Sequence, residues 1–249
     1  MDDSQLLRYS RHVLLDELGP DAQEKFARAH ALVVGVGGLG APVAQFLTAA
    51  GVGTITLCDA DRVVLTNLQR QILYATGDDG APKVDAAAAR LNSINPEVAL
   101  RRVARRVGAE EMRTLVAGAD VVVDCCDNFQ ARHAVNRACV AAQKPLVSGA
   151  ALRFDGQIAV FDARDPASPC YHCLFGEGEE LEETRCATMG VFAPLVGIVG
   201  ATQAAEALKL IAGVGESLAG RLLILDALAM QWREVRVPRD PACAVCSAR

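Results

Sequence analysis

No uninterrupted apolar run in this chain reaches the 18 or so residues that a membrane-spanning helix needs, although 51% of its residues are hydrophobic. The N-terminus, MDDSQLLRYSRH, is polar and lacks the layout of a secretory signal. Basic residues are not in excess, and the formal charge of −5 leaves no electrostatic footprint for nucleic acid. Internal repeats and low-complexity linkers are missing. Four histidines, His12, His30, His133 and His172, show neither triad nor metal spacing and receive no catalytic role. Nine cysteines, an odd number without a secretion signal, fit a reducing compartment where thiols are free or metal-bound. The expectation is a cytoplasmic α/β protein that engages neither membrane nor nucleic acid.

What is present is organised around Ala31–Lys83. Ala31–Val36 is an apolar run of strand length, and Gly35-x-Gly37-x-x-Gly40 follows directly, with Gly38 inside the loop. Leu39–Ala50 is apolar at helical spacing, and Thr54–Cys58 is a second strand ending at Asp59, 19 positions past Gly40. Strand, glycine loop, helix, strand and acid in this order make a nucleotide-binding βαβ unit. The glycines allow close approach of phosphate to the helix N-terminus, and Asp59 would accept hydrogen bonds from a ribose. The pattern does not say which nucleotide.

Residues 1–28 read as a helical lead-in with a break at Gly19-Pro20. Beyond the nucleotide unit, NLQRQ falls on a loop or short helical turn, and Pro82 opens a helix that Asn95-Pro96 stops. Strands are expected at Val98–Val103, Asp120–Cys125 and Pro145–Ser148, with helices over Glu110–Ala117 and from the Asp127-Asn128 cap to Ala142. This alternation argues for a parallel sheet. After Ala150 the pattern predicts a hairpin turning at Asp155-Gly156, then an acidic loop, a long apolar helix from Pro194 to Ala212, and strands at Arg221–Leu225 and Arg233–Val237. Trp232 is assigned to the core. The fold class is therefore α/β: a Rossmann-like, doubly wound, mostly parallel sheet with antiparallel C-terminal strands. One domain over 1–249 is expected, with a nucleotide-binding half at 31–150 and a second half at 151–249.

Cys170-x-x-Cys173 and Cys243-x-x-Cys246 supply four thiolates in two identical spacings, the count a tetrahedral structural zinc needs. Unrelated free thiols or a redox disulfide are the other readings. Arg70 and Lys83 lie just past Asp59; beside a phosphate-binding helix they suit a triphosphate, and alone they are solvated surface charges. Asp127 follows the fourth strand at the edge where doubly wound folds bind ligands, as a magnesium carboxylate or a helix N-cap. Cys186 follows the acidic loop and is a candidate nucleophile, whereas Cys58, Cys125, Cys126 and Cys139 read as buried filler.

Together the segments RYSRHVLL, VVGVGGLGAPVAQFLTAAGVG, DADRVVLTNLQRQ, APKV, DCCDN, SGAALRFDGQIAVF, CYHC, GVFAPLVGIVGATQAAEALKL and CAVC resemble the bacterial E1-like adenylyltransferases, the MoeB/ThiF/HesA family. The resemblance runs in order over nearly the whole chain. It implies use of ATP and Mg²⁺ to adenylate the C-terminal Gly-Gly carboxylate of a small ubiquitin-like sulfur carrier, for molybdopterin or thiamine synthesis. It places Asp59 on the ribose, Arg70 and Lys83 on phosphates with Asn67 and Gln71 in the same pocket, and Asp127 on Mg²⁺; Asp61 and Asn128 lie beside these. Arg11 matches an arginine that reaches into a partner subunit's site, which implies a homodimer. The cysteine pairs match a structural Zn²⁺ site, and Cys186 matches a position that joins the carrier covalently in some members. DCCDN departs from the family at Cys126, where a threonine is usual. SGAALRFDGQ looks closer to molybdopterin-pathway than to thiamine-pathway members. The chain ends three residues after Cys246, which implies a separate sulfur-donor protein. An NAD-dependent oxidoreductase, or a non-catalytic binding subunit of this fold, are the competing classes.

Overall fold

The computed structural model describes residues 1–176 and 189–248. Three short helices, α1 (Asp3–Arg8), α2 (Ser10–Val13) and α3 (Gly19–Arg28), form the lead-in; Gly19-Pro20 starts α3, with proline in the first turn. Then follow β1 (His30–Val34), α4 (Gly40–Ala49), β2 (Thr54–Cys58), α5 (Lys83–Ile94), β3 (Ala99–Val103), α6 (Ala109–Ala117), β4 (Val121–Asp124), α7 (Phe129–Ala142) and β5 (Pro145–Leu152). The remainder is β6 (Asp155–Asp162), α8 (Tyr171–Leu174), α9 (Ala193–Ala212), β7 (Arg221–Asp226) and β8 (Gln231–Arg236).

All eight strands form one sheet in the order β3-β2-β1-β4-β5-β6-β7-β8. β3, β2, β1, β4 and β5 run parallel, and β6 to β8 are antiparallel. Buried on both faces, the central parallel strands are continuous apolar runs, as in Ala31–Val34 and Val121–Val123, whereas the edge strand β3 (ALRRV) is largely exposed. The order reverses beside β1, so a crevice lies between the carboxyl ends of β1 and β4.

Three expectations need correction. The hairpin turns at Arg153-Phe154, not at Asp155-Gly156, because Leu152 pairs with Asp155 and Arg153 takes a positive φ of 54°. Gly156 sits inside β6 for a packing reason: a Cβ there would lie 2.8 Å from Val199 and 2.9 Å from Leu195, both on α9. Trp232 is not core; it is 44% exposed on β8, the edge strand. Third, Ala193–Ala212 is long and apolar enough to cross a bilayer by length and composition, with mean hydropathy 1.4. Gln203, Glu206 and Lys209 interrupt its apolar string, which hid this in the linear sequence. Its stripe of Leu195, Val196, Val199, Gln203 and Ala207 is buried, and the helix packs on α4, β5 and β6.

Candidate functional site

The turn after β1 carries the glycine fingerprint into α4. Gly35 has φ +87°, and a Cβ there would stand 2.7 Å from the Cys125 carbonyl, so β4 and the loop meet backbone to backbone. Gly40 is closer still: its Cβ would meet the Gly35 carbonyl at 1.9 Å. Gly38 lies under Val196 of α9, and Gly37 faces the Gln71 amide. The Tyr74 hydroxyl donates to the Val36 carbonyl over 2.6 Å, pinning the loop from the segment that follows β2. At the end of β2, Asp59 is half-buried and accepts from the Val36 N–H (2.7 Å) and the Asp61 N–H (2.8 Å). That ties the acid to the glycine turn while each oxygen keeps further acceptor capacity.

Beside this turn opens a cleft of about 360 Å³, within the range of small-ligand sites. Asp61, Arg62, Val64, Asn67, Arg70, Gln71, Lys83 and Asp127 line it. The structure thus gathers six of the sequence-selected residues from three separate segments. Asp59, the glycines and Asn128 flank the cleft without lining it, and Arg11 lies apart, exposed on α2. Cys186 and the glutamate run lie outside the described residues.

The electrostatics of the cleft are incomplete. Lys83, buried at the start of α5, pairs with Asp61 at 2.9 Å. Arg70 donates to the Thr66 carbonyl at 3.1 Å, and Arg62 to the Gly80 carbonyl at 2.6 Å; among the described residues neither meets a carboxylate. Gln71 is 4% exposed, yet its Oε1 finds no hydrogen-bond partner among the described residues. A buried acceptor without a donor carries a desolvation cost of about 1–3 kcal/mol that a bound ligand would relieve. Cations without carboxylate partners among the described residues and the helix N-terminus suit a polyanion, while the orphaned Gln71 oxygen suits a donor group on the same ligand, such as a hydroxyl.

Asp127 is not the cap of α7. Asn128 is: its Oδ1 accepts the Ala131 N–H over 2.8 Å, in a backbone conformation proper to an N-cap. Asp127 is left exposed at the cleft, and among the described residues its one hydrogen-bond partner is the Asn128 side-chain amide at 3.3 Å. One carboxylate free to share an ion with phosphate oxygens is the ligand set Mg²⁺ favours.

The second cluster is closed. The Sγ atoms of Cys170, Cys173, Cys243 and Cys246 all lie within 4.8 Å of one another. Measured pairs are 3.7 Å (Cys170–Cys243), 3.9 Å (Cys170–Cys173) and 3.5 Å (Cys173–Cys246). A tetrahedral zinc with bonds of about 2.3 Å sets its sulfurs about 3.8 Å apart. The donor set and spacing fit that ion, which would staple the chain's end to α8. The Asn136 amide donates to Cys170 Sγ (3.7 Å) and the Val245 N–H to Cys243 Sγ (3.5 Å), the outer contacts that orient thiolate ligands. The other described cysteines are inert: burial pushes the Cys58 thiol up to about 11 and raises those of Cys125, Cys126 and Cys139 well above the ordinary thiol range.

Sequence reasoning missed the groups beneath Asp127. Arg132, Asp124 and Ser148 form a buried network, and Gln203 reaches it from α9. The signal was available in α7, where the buried stripe of Arg132, Val135, Asn136 and Cys139 carries polar residues at helical spacing.

The ThiF family model matches residues 9–245. The molybdopterin-synthase adenylyltransferase of Escherichia coli is 43% identical over 249 residues, covering 99% of this chain and 98% of that protein. The ThiS adenylyltransferase of the same organism is 43% identical over 246 residues and 99% of this chain. The sulfur carrier protein adenylyltransferase of Thermus thermophilus is 45% identical over 246 residues, covering 97% and 91% of the two chains. Among solved structures, E. coli MccB with ATP superposes with a TM-score of 0.83 at 26% identity, over 96% of this chain and 74% of that one. By the extent of the family match and by these identities, the chain belongs to the ThiF family.

Proposed function

We propose that this chain uses ATP and Mg²⁺ to adenylate the C-terminal Gly-Gly carboxylate of a ubiquitin-like sulfur carrier in molybdopterin synthesis. The observation that carries the reading is the cleft at the reversal of strand order, where Asn67, Arg70, Gln71, Lys83 and Asp127 converge with unsatisfied charge and an orphaned acceptor. The curated relatives' names supply the reaction class.

In this reading the glycine turn (Gly35, Gly37, Gly38, Gly40) lies along the phosphates and Asp59 holds the ribose. Arg70 and Lys83 contact the phosphates, and Asn67 and Gln71 orient them. Asp127, with Asn128 beside it, holds the magnesium ion, which supplies charge neutralisation on the phosphates. The carrier's carboxylate is already ionised, so no protein base is required. Its oxygen bonds to the α-phosphorus as the bond to the bridging oxygen of pyrophosphate breaks, giving acyl-adenylate and pyrophosphate. The chain's work is to hold the two reactants in line and to stabilise charge on the departing pyrophosphate. Arg11 of a second copy adds to that stabilisation; the exposed leucines Leu7, Leu14 and Leu15 around it support a homodimer. A separate sulfur donor then acts on the acyl-adenylate. Cys186, which lies outside the described residues, is kept as the candidate for joining the carrier covalently once the adenylate has formed.

The thiamine-pathway carrier is the second reading, because identity to the molybdopterin and ThiS enzymes is the same 43%. ATP–pyrophosphate exchange with each carrier in separate reactions tests both. Exchange that depends on one carrier and vanishes when its terminal glycine is deleted establishes the reaction and the pathway. Tight ATP binding with no exchange on either carrier contradicts it and favours a binding subunit.

A further inference from the structure

Asp127 is a single exposed residue between two immobilised neighbours. On its C-terminal side Asn128 is fixed as the cap of α7. On its N-terminal side Cys126 is gripped at both ends: its N–H donates to Asp124 Oδ1 at 3.0 Å, and its carbonyl accepts from Arg132. Arg132 also donates to the Gly149 carbonyl (2.9 Å), to Ser148 Oγ (3.2 Å) and to Asp124 Oδ2 (3.3 Å). The Ser148 hydroxyl completes the ring by donating to Asp124 Oδ2 at 2.8 Å. From the opposite face, Gln203 donates to the Asp124 carbonyl at 2.8 Å. Arg132 is 7% and Asp124 0% exposed.

A buried ion pair is weak evidence for stability, because packed apolar residues of similar volume do as well or better. What a guanidinium adds is direction: several fixed donors in one plane, which a lysine or an apolar side chain does not reproduce. Here those donors tie α7 to the β4–α7 turn through Asp124 and the Cys126 carbonyl, and to the neighbouring strand β5 through Ser148 and the Gly149 carbonyl. We infer that Arg132, braced by Asp124 and Ser148, is a positioning residue that sets the Asp127 carboxylate toward the cleft and thereby tunes its hold on the magnesium–phosphate group. The inference rests on the reading of Asp127 as the magnesium carboxylate.

The test compares Arg132→Lys, Ser148→Ala, Asp127→Asn and the Asp127→Asn/Arg132→Lys double variant. In the nucleotide-free and magnesium-free protein, amide hydrogen exchange over residues 125–128 should accelerate at least tenfold in Arg132→Lys, with exchange in β1 and β2 unchanged. In exchange assays the magnesium concentration for half-maximal rate should rise about tenfold, and about threefold for Ser148→Ala. Magnesium-free ATP binding should stay within twofold. Arg132→Lys should add nothing further to Asp127→Asn. A general loss of melting temperature with unchanged magnesium dependence, or losses that multiply in the double variant, would overturn the positioning role. If Arg132→Lys does not fold, Ser148→Ala decides alone: unchanged turn exchange and magnesium dependence refute the inference. Normal activity in Asp127→Asn would instead remove the underlying reading, so the two failures are told apart.

Discussion

The cleft and the cysteine cluster each gather polar side chains from distant parts of the chain and end in opposite states. In the cysteine cluster, four sulfurs face one another at 3.5–3.9 Å along the measured pairs, backed by N–H donors and with three of the four residues buried. Four thiolates fill all four positions of a tetrahedral ion, which is the mark of a structural metal site. In the cleft, Arg70 and Asp127 stand without charged partners among the described residues, Lys83 has one, and Gln71 Oε1 has none. A site that satisfies itself stabilises the fold. One that leaves acceptors and cations unmatched is shaped for something that arrives later.

Substitutions should separate the two regions by which property they change. Asp127→Ala should lower carrier-dependent exchange by at least about 10³-fold, the order seen when a key electrostatic group is removed, with melting unchanged. Replacing Cys170 by alanine should do the reverse: zinc content falls and the melting temperature drops steeply, since structural zinc binding contributes on the order of 10 kcal/mol. Retained zinc and unchanged melting there would erase the distinction between the sites. Gly35→Ala forces a side chain into a positive-φ position against the Cys125 carbonyl; chemical denaturation should show a loss of about 1–3 kcal/mol, together with weaker ATP binding. The smallest effect is expected at Trp232, 44% exposed on the edge strand, where serine should lower stability by about 1 kcal/mol.

The nucleotide half was legible because local signals and global topology agree there. Apolar runs, glycine spacing and Asn95-Pro96 fell on the observed strand and helix ends to within one or two residues, except that the strand expected at Pro145–Ser148 runs on to Leu152. The second half was harder to read for physical reasons. Gly156 looks like turn chemistry in sequence, but its role is to admit α9 against the sheet, a contact more than 35 positions away in the chain. Trp232 looks like core until the sheet order makes β8 an edge. The cap of α7 could have been either Asp127 or Asn128, and only backbone geometry chose Asn128. Arg132 and Asp124 were overlooked because a buried ion pair is invisible until α7 lies on β4 and β5.

The most direct test of the account is thermal stabilisation of the purified protein by ATP with Mg²⁺, set beside NAD, in the wild type and in Asp127→Ala. The account predicts a clear rise in melting temperature with magnesium–ATP, a much smaller rise in the variant, and none with NAD. Stabilisation by NAD, or a magnesium–ATP response indifferent to Asp127, would contradict it.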